Sequence, residues 1–220
     1  MKSFLSLRLA TRTVLAMAMA AALTACDNNA SESAGNAGSS SAASATANAS
    51  AGGFNGTDIT GTGFGKDIEL VNQEGADIQL QQAYSGKVMV IFFGFTQCPD
   101  VCPTTMAELA QVREKLTPEQ RERVQVIMIS VDPQRDTPAV LKQYVSAFDP
   151  SFVGLTGSDE QIAKVAASFK AYYKKVPSGD SYTMEHSAGL YVLDTKGESR
   201  LLIKPNTAPE AIAADIQKLL

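Results

Sequence analysis

The sequence predicts an α/β domain with a central mixed sheet, on three observations. Two short apolar runs, 88–93 and 124–129, are rich in branched and aromatic residues, as is typical of strands covered on both faces in a parallel sheet. An amphipathic segment separates the two runs, which predicts a strand–helix–strand unit with a right-handed crossover. Two further runs, 190–193 and 201–203, are joined by the turn sequence DTKG and predict an antiparallel hairpin.

One helix is expected before the second strand and one after it. The first covers 103–116, where apolar residues recur at helical spacing along one side. The second begins at Pro138 and carries Val140, Tyr144 and Phe148 four residues apart. Both segments have the spacing of helices that pack one face against a sheet.

Two capping boxes, in which a Ser or Thr precedes a Gln or Glu by three residues, mark the starts of two later helices. Ser158 and Gln161 form the first box, and Thr207 and Glu210 form the second. The complete order is βαβ, a helical insertion, and ββα. This order predicts a thioredoxin-like fold with an N-terminal extension and a helical insertion.

The composition excludes several classes of protein. With 220 residues, 45% of them hydrophobic and 19% charged, the chain is neither collagen-like, coiled-coil nor wholly disordered. Residues 1–25 hold three bases and no acid, so the remainder carries 16 bases against 23 acids. Such an acidic chain lacks the excess of basic residues that is typical of nucleic-acid-binding proteins. Three cysteines and one histidine are too few for a disulfide scaffold or a His-rich metal buffer.

The first 25 residues are typical of an export signal, with a basic start and an apolar run at 14–23. A transmembrane anchor is the weaker interpretation, because it needs roughly 20 apolar residues. The sequence LTAC, which ends at Cys26, resembles a bacterial lipobox, in which the cysteine is lipidated and becomes the first residue. Asp27 resembles the signal that retains lipoproteins in the inner membrane. We therefore expect a lipid-anchored protein whose folded domain faces the periplasm.

A linker is expected between the lipid anchor and the folded domain. Residues 26–53 are almost entirely Ala, Ser, Gly and Asn after Cys26, with Asp27 and Glu32 as the only charges. This segment lacks the large apolar side chains that offset the entropy of ordering, so it predicts a flexible tether with a reach of about 30 Å. The folded domain is expected to cover 54–220.

The segment GFTQCPDVCP, at 94–103, carries the residues best suited to chemistry. It lies at the carboxyl end of a buried strand, where ligands bind in open α/β sheets, and Pro103 suits the first position of the following helix. The positive end of the helix dipole is expected to favour thiolates at Cys98 and Cys102. Such a pair serves as soft metal ligands, as a redox couple, or as a structural disulfide. Its three intervening residues are one more than in the Cys-x-x-Cys motif.

His186 is the sole histidine of the chain. A structural zinc site needs four protein ligands. If Cys26 is lipidated, only three cysteine and histidine side chains remain, namely Cys98, Cys102 and His186. Two thiolates and one imidazole instead suit a three-coordinate soft cation, with copper favoured. Spacing alone does not bring His186 to the cysteines, because 84 residues separate it from Cys102. A structural or exposed histidine remains the alternative.

Three motifs resemble those of the Sco/SenC family of thioredoxin-like copper proteins. They are GFTQCPDVCP at 94–103, VDPQRDTP at 131–138 and EHSAGLYVLD at 185–194, in family order and spacing. The resemblance implies a copper chaperone that assembles the copper A centre of cytochrome c oxidase. It also implies that Cys98 and Cys102 supply the copper thiolates.

The resemblance further implies that His186 is the imidazole ligand. Asp132 and Asp136 match acidic positions of the family beside the site, although Asp136 also suits a turn or a cap ahead of the next helix. Glu185 stands where the family more often has Asp, and either residue could orient the imidazole. Met184 offers a thioether, but packing is the favoured role for it.

The resemblance implies delivery of Cu(I) or Cu(II) to the copper A domain of oxidase subunit II, with an upstream copper donor protein as a second partner. An enzyme-like alternative uses Cys98 and Cys102 as a thiol-disulfide oxidoreductase that keeps the copper A cysteines reduced. A third alternative is a scaffolding lipoprotein with a structural disulfide. Only metal binding requires His186, which separates the first function from the others.

Overall fold

We describe residues 53–220 in a computed structural model of the chain. The predicted export signal, the predicted acylation site at Cys26 and most of the predicted linker lie outside the described residues. Within 53–220, no helix combines the length and apolar character needed to cross a membrane.

The described residues form ten strands and six helices. The strands are β1 (Thr57–Asp58), β2 (Glu69–Asn72), β3 (Asp77–Gln79), β4 (Val88–Gly94), β5 (Val124–Ser130), β6 (Val153–Thr156), β7 (Tyr173–Ser178), β8 (Ser181–His186), β9 (Leu190–Leu193) and β10 (Ser199–Ile203). The helices are α1 (Leu80–Ala83), α2 (Val101–Glu114), α3 (Pro118–Glu122), α4 (Pro138–Ser146), α5 (Asp159–Ser168) and α6 (Pro209–Gln217).

Eight strands form one mixed sheet in the order β1-β10-β9-β4-β5-β6-β2-β3. Strands β4, β5 and β6 are parallel, whereas β9 joins β4 and β2 joins β6 in antiparallel pairs. Strands β7 and β8 form a separate two-stranded ribbon. The predicted thioredoxin-like α/β fold with a central mixed sheet is confirmed.

Strands β4 and β5 lie at the centre because both faces of each are covered. Their register pairs Val88 with Val124 and runs to Gly94 with Ser130. All seven residues of each strand are buried. Burial of a Val, Ile or Phe side chain contributes roughly 1.5–3 kcal/mol, so these two strands anchor the domain and fix the edge from which the cysteine loop leaves.

Helix α4 begins at Pro138 as predicted, but its core face differs from the apolar series expected from the spacing. Leu141 and Val145 are fully buried, while Val140 is 39% exposed. Leu141 approaches β6 closely because Gly154 has no side chain; a Cβ there would lie 2.8 Å from Leu141 Cβ. The face that carries Val140 is therefore turned outward.

The helix starts confirm one capping box and correct the other. Ser158 and Gln161 form the reciprocal box at α5. Thr207 does not cap α6: its hydroxyl donates to the Lys204 carbonyl at 2.8 Å, and Ala208 precedes the first helical residue. The helix starts one residue later than the box requires, because Pro209 takes its first position.

The start of α2 and several elements also differ from the prediction. Helix α2 begins at Val101, so Pro103 is its third residue and Cys102 lies within its first turn. Strand β6, helix α3 and the ribbon β7–β8 were not predicted. The insertion between β5 and β9 is therefore helical only in part, since it also adds a strand to the sheet and supplies the ribbon.

The N-terminal extension is fixed to the last helix by a buried carboxylate. Asp215 on α6 is fully buried and accepts hydrogen bonds from the backbone amides of Asn55 (2.9 Å) and Gly56 (2.8 Å). The Asn55 side chain adds a third donor at 3.0 Å. Strand β1 then pairs with β10 at the sheet edge. Burial of the Asp215 carboxylate is thus compensated by hydrogen bonds.

Candidate metal centre

The cysteine loop leaves the central strand β4 and enters helix α2 within a few residues. Cys98 is half-buried, whereas Cys102 is fully buried. The Cys102 backbone amide, unpartnered by the helix in its first turn, donates to Cys98 Sγ at 3.4 Å. Gly94 leaves space for the second sulfur, since a Cβ there would lie 3.1 Å from Cys102 Sγ and 2.7 Å from the Phe92 ring.

His186 reaches the cysteines as the last residue of β8. Its Nε2 lies 3.4 Å from Cys102 Sγ, and its Nδ1 lies 3.0 Å from the Ser187 carbonyl oxygen. A carbonyl only accepts hydrogen bonds, so this contact assigns the proton to Nδ1 and leaves the Nε2 lone pair facing the sulfur. Phe92 and Phe95 each hold the ring edge-to-face, with centroids 5.8 Å away.

The structure therefore brings together the three residues that the sequence singled out. Cys98 Sγ, Cys102 Sγ and His186 Nε2 all lie within 4.8 Å of one another. Two sulfurs and one imidazole nitrogen are a donor set for soft or borderline cations such as copper. Slight contraction of this triangle suffices to place one ion among the three atoms.

Burial controls protonation at Cys102 and His186, which corrects the expectation of a favoured thiolate at Cys102. Burial raises the pKa of the Cys102 thiol well above its usual range, and the nearby Cys98 sulfur adds to the effect. Burial likewise lowers the pKa of His186, although the Ser187 carbonyl opposes this shift. The metal-free site thus favours a neutral imidazole and a protonated Cys102, and a bound cation must displace the thiol proton.

Asp136 connects the cysteine loop to strand β5. Its fully buried carboxylate accepts from the Thr96 amide (3.0 Å), the Thr96 hydroxyl (2.6 Å) and the Ser130 hydroxyl (2.6 Å). Burial raises the pKa of Asp136, against the lowering effect of these hydrogen bonds. Thr137, not Asp136, caps helix α4 with its side chain. Asp136 therefore acts on the loop that carries Cys98.

Asp132 contacts the other half of the site, the ribbon. This buried carboxylate accepts from the Tyr182 hydroxyl at 2.9 Å and pairs with the Arg135 guanidinium. Its own backbone amide donates to the Ser130 hydroxyl at 3.0 Å. Two acidic side chains of the 131–138 motif thus hold the two segments that carry the donor atoms.

Glu185 does not orient the imidazole. Its side chain is exposed and accepts a 3.4 Å hydrogen bond from the Tyr172 hydroxyl. Side chains alternate along a strand, so Glu185 and His186 leave β8 on opposite faces, and the Ser187 carbonyl takes the orienting role. Met184 is buried in the core, which agrees with the packing role favoured for it.

Sequence reasoning did not single out Arg135, Tyr182 or Gln97, which surround the site. Arg135 Nη1 lies 3.2 Å from Gln97 Oε1 and 3.0 Å from the Tyr182 carbonyl oxygen. Arg135 lies within the VDPQRDTP motif, so the motif contained a signal for it. Tyr182 had none, because the ribbon itself was not predicted.

Comparisons with known proteins agree with this geometry. The SCO2-like protein of Rickettsia felis is 39% identical over 139 residues, which are 61% of this chain and 66% of that protein. The match therefore spans just under two thirds of the relative. The structure of Bradyrhizobium japonicum ScoI with copper bound is 42% identical, with a TM-score of 0.66 over 71% of this chain and 99% of that one.

A third similar protein is BsSco, whose structure identifies a disulfide switch in a member of the Sco family of cytochrome c oxidase assembly proteins. It is 27% identical, with a TM-score of 0.59, and covers 74% of this chain and 96% of that one. The family model for SCO1/SenC matches residues 57–220, which include all three donor residues. The chain belongs to the SCO1/SenC family.

Proposed function

We propose that this protein is a membrane-tethered copper chaperone that delivers copper to the copper A centre of cytochrome c oxidase. Cys98, Cys102 and His186 would bind the ion. The observation that carries the proposal is the convergence of their three donor atoms within 4.8 Å. The copper-bound structure of the similar Bradyrhizobium japonicum protein supports copper as the cargo.

The site suits an ion that is carried and then released. Three protein donors leave copper open to a further ligand from a partner, and the half-buried Cys98 lies on the accessible side. Transfer then proceeds by ligand exchange, in which a client thiolate or imidazole replaces the chaperone donors one at a time. The fully buried Cys102 and the half-buried His186 hold the ion until that exchange is complete.

The client we propose is the copper A domain of oxidase subunit II, and an upstream donor protein would supply the copper. The similar BsSco, a member of a family of oxidase assembly proteins, supports this class of client. A lipid anchor at Cys26 and a linker through residue 53 would hold the domain, 54–220, in the periplasm near the inner membrane. Tethering raises the local concentration of the domain near a client in the same membrane.

A second candidate function is reduction of the client cysteines. Both Cys98 and Cys102 are free thiols, and Cys98 is the less buried of the two, which supports Cys98 as the attacking sulfur. The pair would give two electrons and two protons to a client disulfide and would itself become a disulfide. This function does not require His186.

Copper titration of the purified, reduced protein tests the proposal. We expect one copper ion per chain, and we expect His186→Ala to lose at least tenfold in affinity, about the minimum for a disturbed ligand set. The copper spectrum should change as well. Met184→Leu is the matched control, because it replaces a buried neighbour on the same strand and keeps both shape and affinity. Identical binding by parent and His186→Ala would reject the three-ligand site.

A further inference from the structure

The ribbon β7–β8 carries one metal ligand but is not part of the main sheet. None of the described strands of the eight-stranded sheet pairs with it. Hydrogen bonds within a two-stranded ribbon fix its shape but do not fix its position on the domain. The position of His186 relative to the cysteines therefore depends in part on side-chain contacts between the ribbon and its support.

Apart from the contact of His186 with Cys102, three polar contacts of the ribbon with the rest of the domain converge on one short segment, 132–135. The Tyr182 hydroxyl donates to Asp132, and Lys175 Nζ donates to Gln134 Oε1 at 3.2 Å. The third contact is Arg135 Nη1, which donates to the Tyr182 carbonyl oxygen at 3.0 Å. The same guanidinium stacks on the Tyr182 ring, with its carbon 3.8 Å from the ring centroid.

Arg135 is the member of this segment that also touches the cysteine loop. Its Nη1 donates to Gln97 Oε1 at 3.2 Å, and Gln97 directly precedes Cys98. Tyr182 and His186 are four residues apart on β8, so their side chains leave the same face of that strand. One side chain thus connects the segments that carry the thiol and the imidazole donors.

The environment of Arg135 is costly, which indicates a role other than stability. Its side chain is only 18% exposed, and its Nη2 is buried without a hydrogen-bond partner in the part of the chain that the structure describes. A buried donor without a partner is destabilising. A lysine at this position could not contact Asp132, Gln97 and the ribbon together, because its single ammonium group lacks the planar fork of donors of a guanidinium.

We propose that Arg135 is a positioning residue that holds the His186 ribbon in register with the cysteine loop. The proposal rests on the proposed copper site for its effect on affinity, but not for its effect on the ribbon. Loss of Arg135 leaves both thiols in place and allows the imidazole to move away from them. The pairing of β7 with β8 does not involve Arg135, so the ribbon loosens on the domain without unfolding.

The first experiment uses the metal-free protein and measures amide hydrogen exchange along the chain. In Arg135→Met we expect the amides of β7 and β8 to exchange about tenfold faster, while those of β4 and β5 stay protected. Arg113→Met is the matched control. Arg113 is similarly buried, pairs with Asp149 at 3.0 Å and donates to the Arg121 carbonyl at 3.1 Å, away from the metal centre. Arg113→Met should leave the exchange rates of the β7 and β8 amides unchanged.

The second experiment is a double-mutant cycle on copper affinity, with His186→Ala as the other variant. We expect Arg135→Met to weaken copper binding about 10- to 100-fold when His186 is present, as loss of a partner to a metal ligand does. In the His186→Ala background the effect should shrink to about twofold or less. Arg135→Lys should give an intermediate loss of copper affinity. This variant replaces Arg135→Met in the cycle if Arg135→Met fails to fold.

Either of two results overturns the positioning role. One is a ribbon that exchanges in Arg135→Met as it does in Arg113→Met. The other is an equal loss of copper affinity with and without His186, which would assign the effect to the thiols or to stability. If the parent protein binds no copper, the proposed function fails, and the exchange measurement still decides the role of Arg135.

Discussion

Cys102 Sγ and His186 Nε2 lie 3.4 Å apart, although 84 residues separate them in the chain. The buried thiol keeps its proton, since its pKa is raised. The Nε2 lone pair of the imidazole accepts the hydrogen bond that this thiol donates. The two donors therefore satisfy each other before metal arrives. A cation that enters the site replaces this hydrogen bond with two metal bonds and releases a proton.

The first prediction concerns oxidation of the cysteine pair. A disulfide between Cys98 and Cys102 removes both thiolates, and the thiolate is the form of cysteine that binds a metal. Copper affinity should fall by more than the roughly 100-fold that follows loss of a partner to a ligand, and a reductant should restore it. Copper titration of the oxidised and re-reduced protein measures this. Equal affinity in both states would contradict the ligand set.

The second prediction separates copper transfer from thiol exchange. His186→Ala should still exchange disulfides with a copper A domain peptide, because that reaction uses Cys98 and Cys102 alone. It should fail to load the domain with copper, because the third donor is lost. Both activities are measured on one preparation, with circular dichroism as the folding control. Normal oxidase assembly by this variant under limiting copper would favour the reductase function instead.

The third prediction concerns the pH dependence of stability at Asp136. Burial raises the pKa of this carboxyl in the folded state, so its contribution to stability is full below the unfolded pKa and is lost as pH rises through the folded pKa. Asp136→Asn removes the titration. The free energy of unfolding of the parent, minus that of the variant, should therefore decrease from pH about 4 upward. Urea unfolding across a pH series tests this, and a constant difference would refute it.

A fourth prediction compares the two faces of α4. Leu141→Ala opens a cavity against β6 and should cost about 2–5 kcal/mol in the free energy of unfolding. Val140→Ala, at the neighbouring exposed position, should change that free energy by no more than about 0.5 kcal/mol. Denaturant unfolding of both variants gives the comparison. Similar losses would mean that the buried face has been assigned wrongly.

The fifth prediction concerns attachment to the membrane. If Cys26 is acylated, Cys26→Ser should block lipidation and leave the precursor uncut at this position. In the parent protein, the intact mass of the membrane form should exceed that of the unmodified chain from residue 26 by the mass of the attached lipid. A parent protein with an unmodified thiol at Cys26 would exclude the lipid anchor.

The central strands could be predicted because their burial on both faces leaves a continuous apolar run in the sequence. The ribbon could not, because its sequences YKKVPS and SYTMEH have few apolar residues and depend on their support for burial. For the same reason, spacing did not bring His186 to the cysteines, and only the resemblance of the motifs did.

The protonation state of Cys102 shows a different limit. The sequence placed this cysteine at a helix start, where the dipole favours a thiolate. It did not reveal that the sulfur is fully buried, and desolvation is the stronger effect. Likewise, Glu185 precedes the histidine in the sequence, but the alternation of a strand turns its side chain to the other face.

The attachment of Asn55 to Asp215 determines where mechanical load enters the domain. A pull on the chain upstream of residue 53 is borne first by the Asp215 carboxylate and then by the short pairing of β1 with β10. Strands β10 and β9 separate that edge from β4, where the cysteine loop begins. Tension from the proposed membrane anchor would therefore enter the domain at the rim of the sheet, with two strands between that rim and the strand that leads into the cysteine loop.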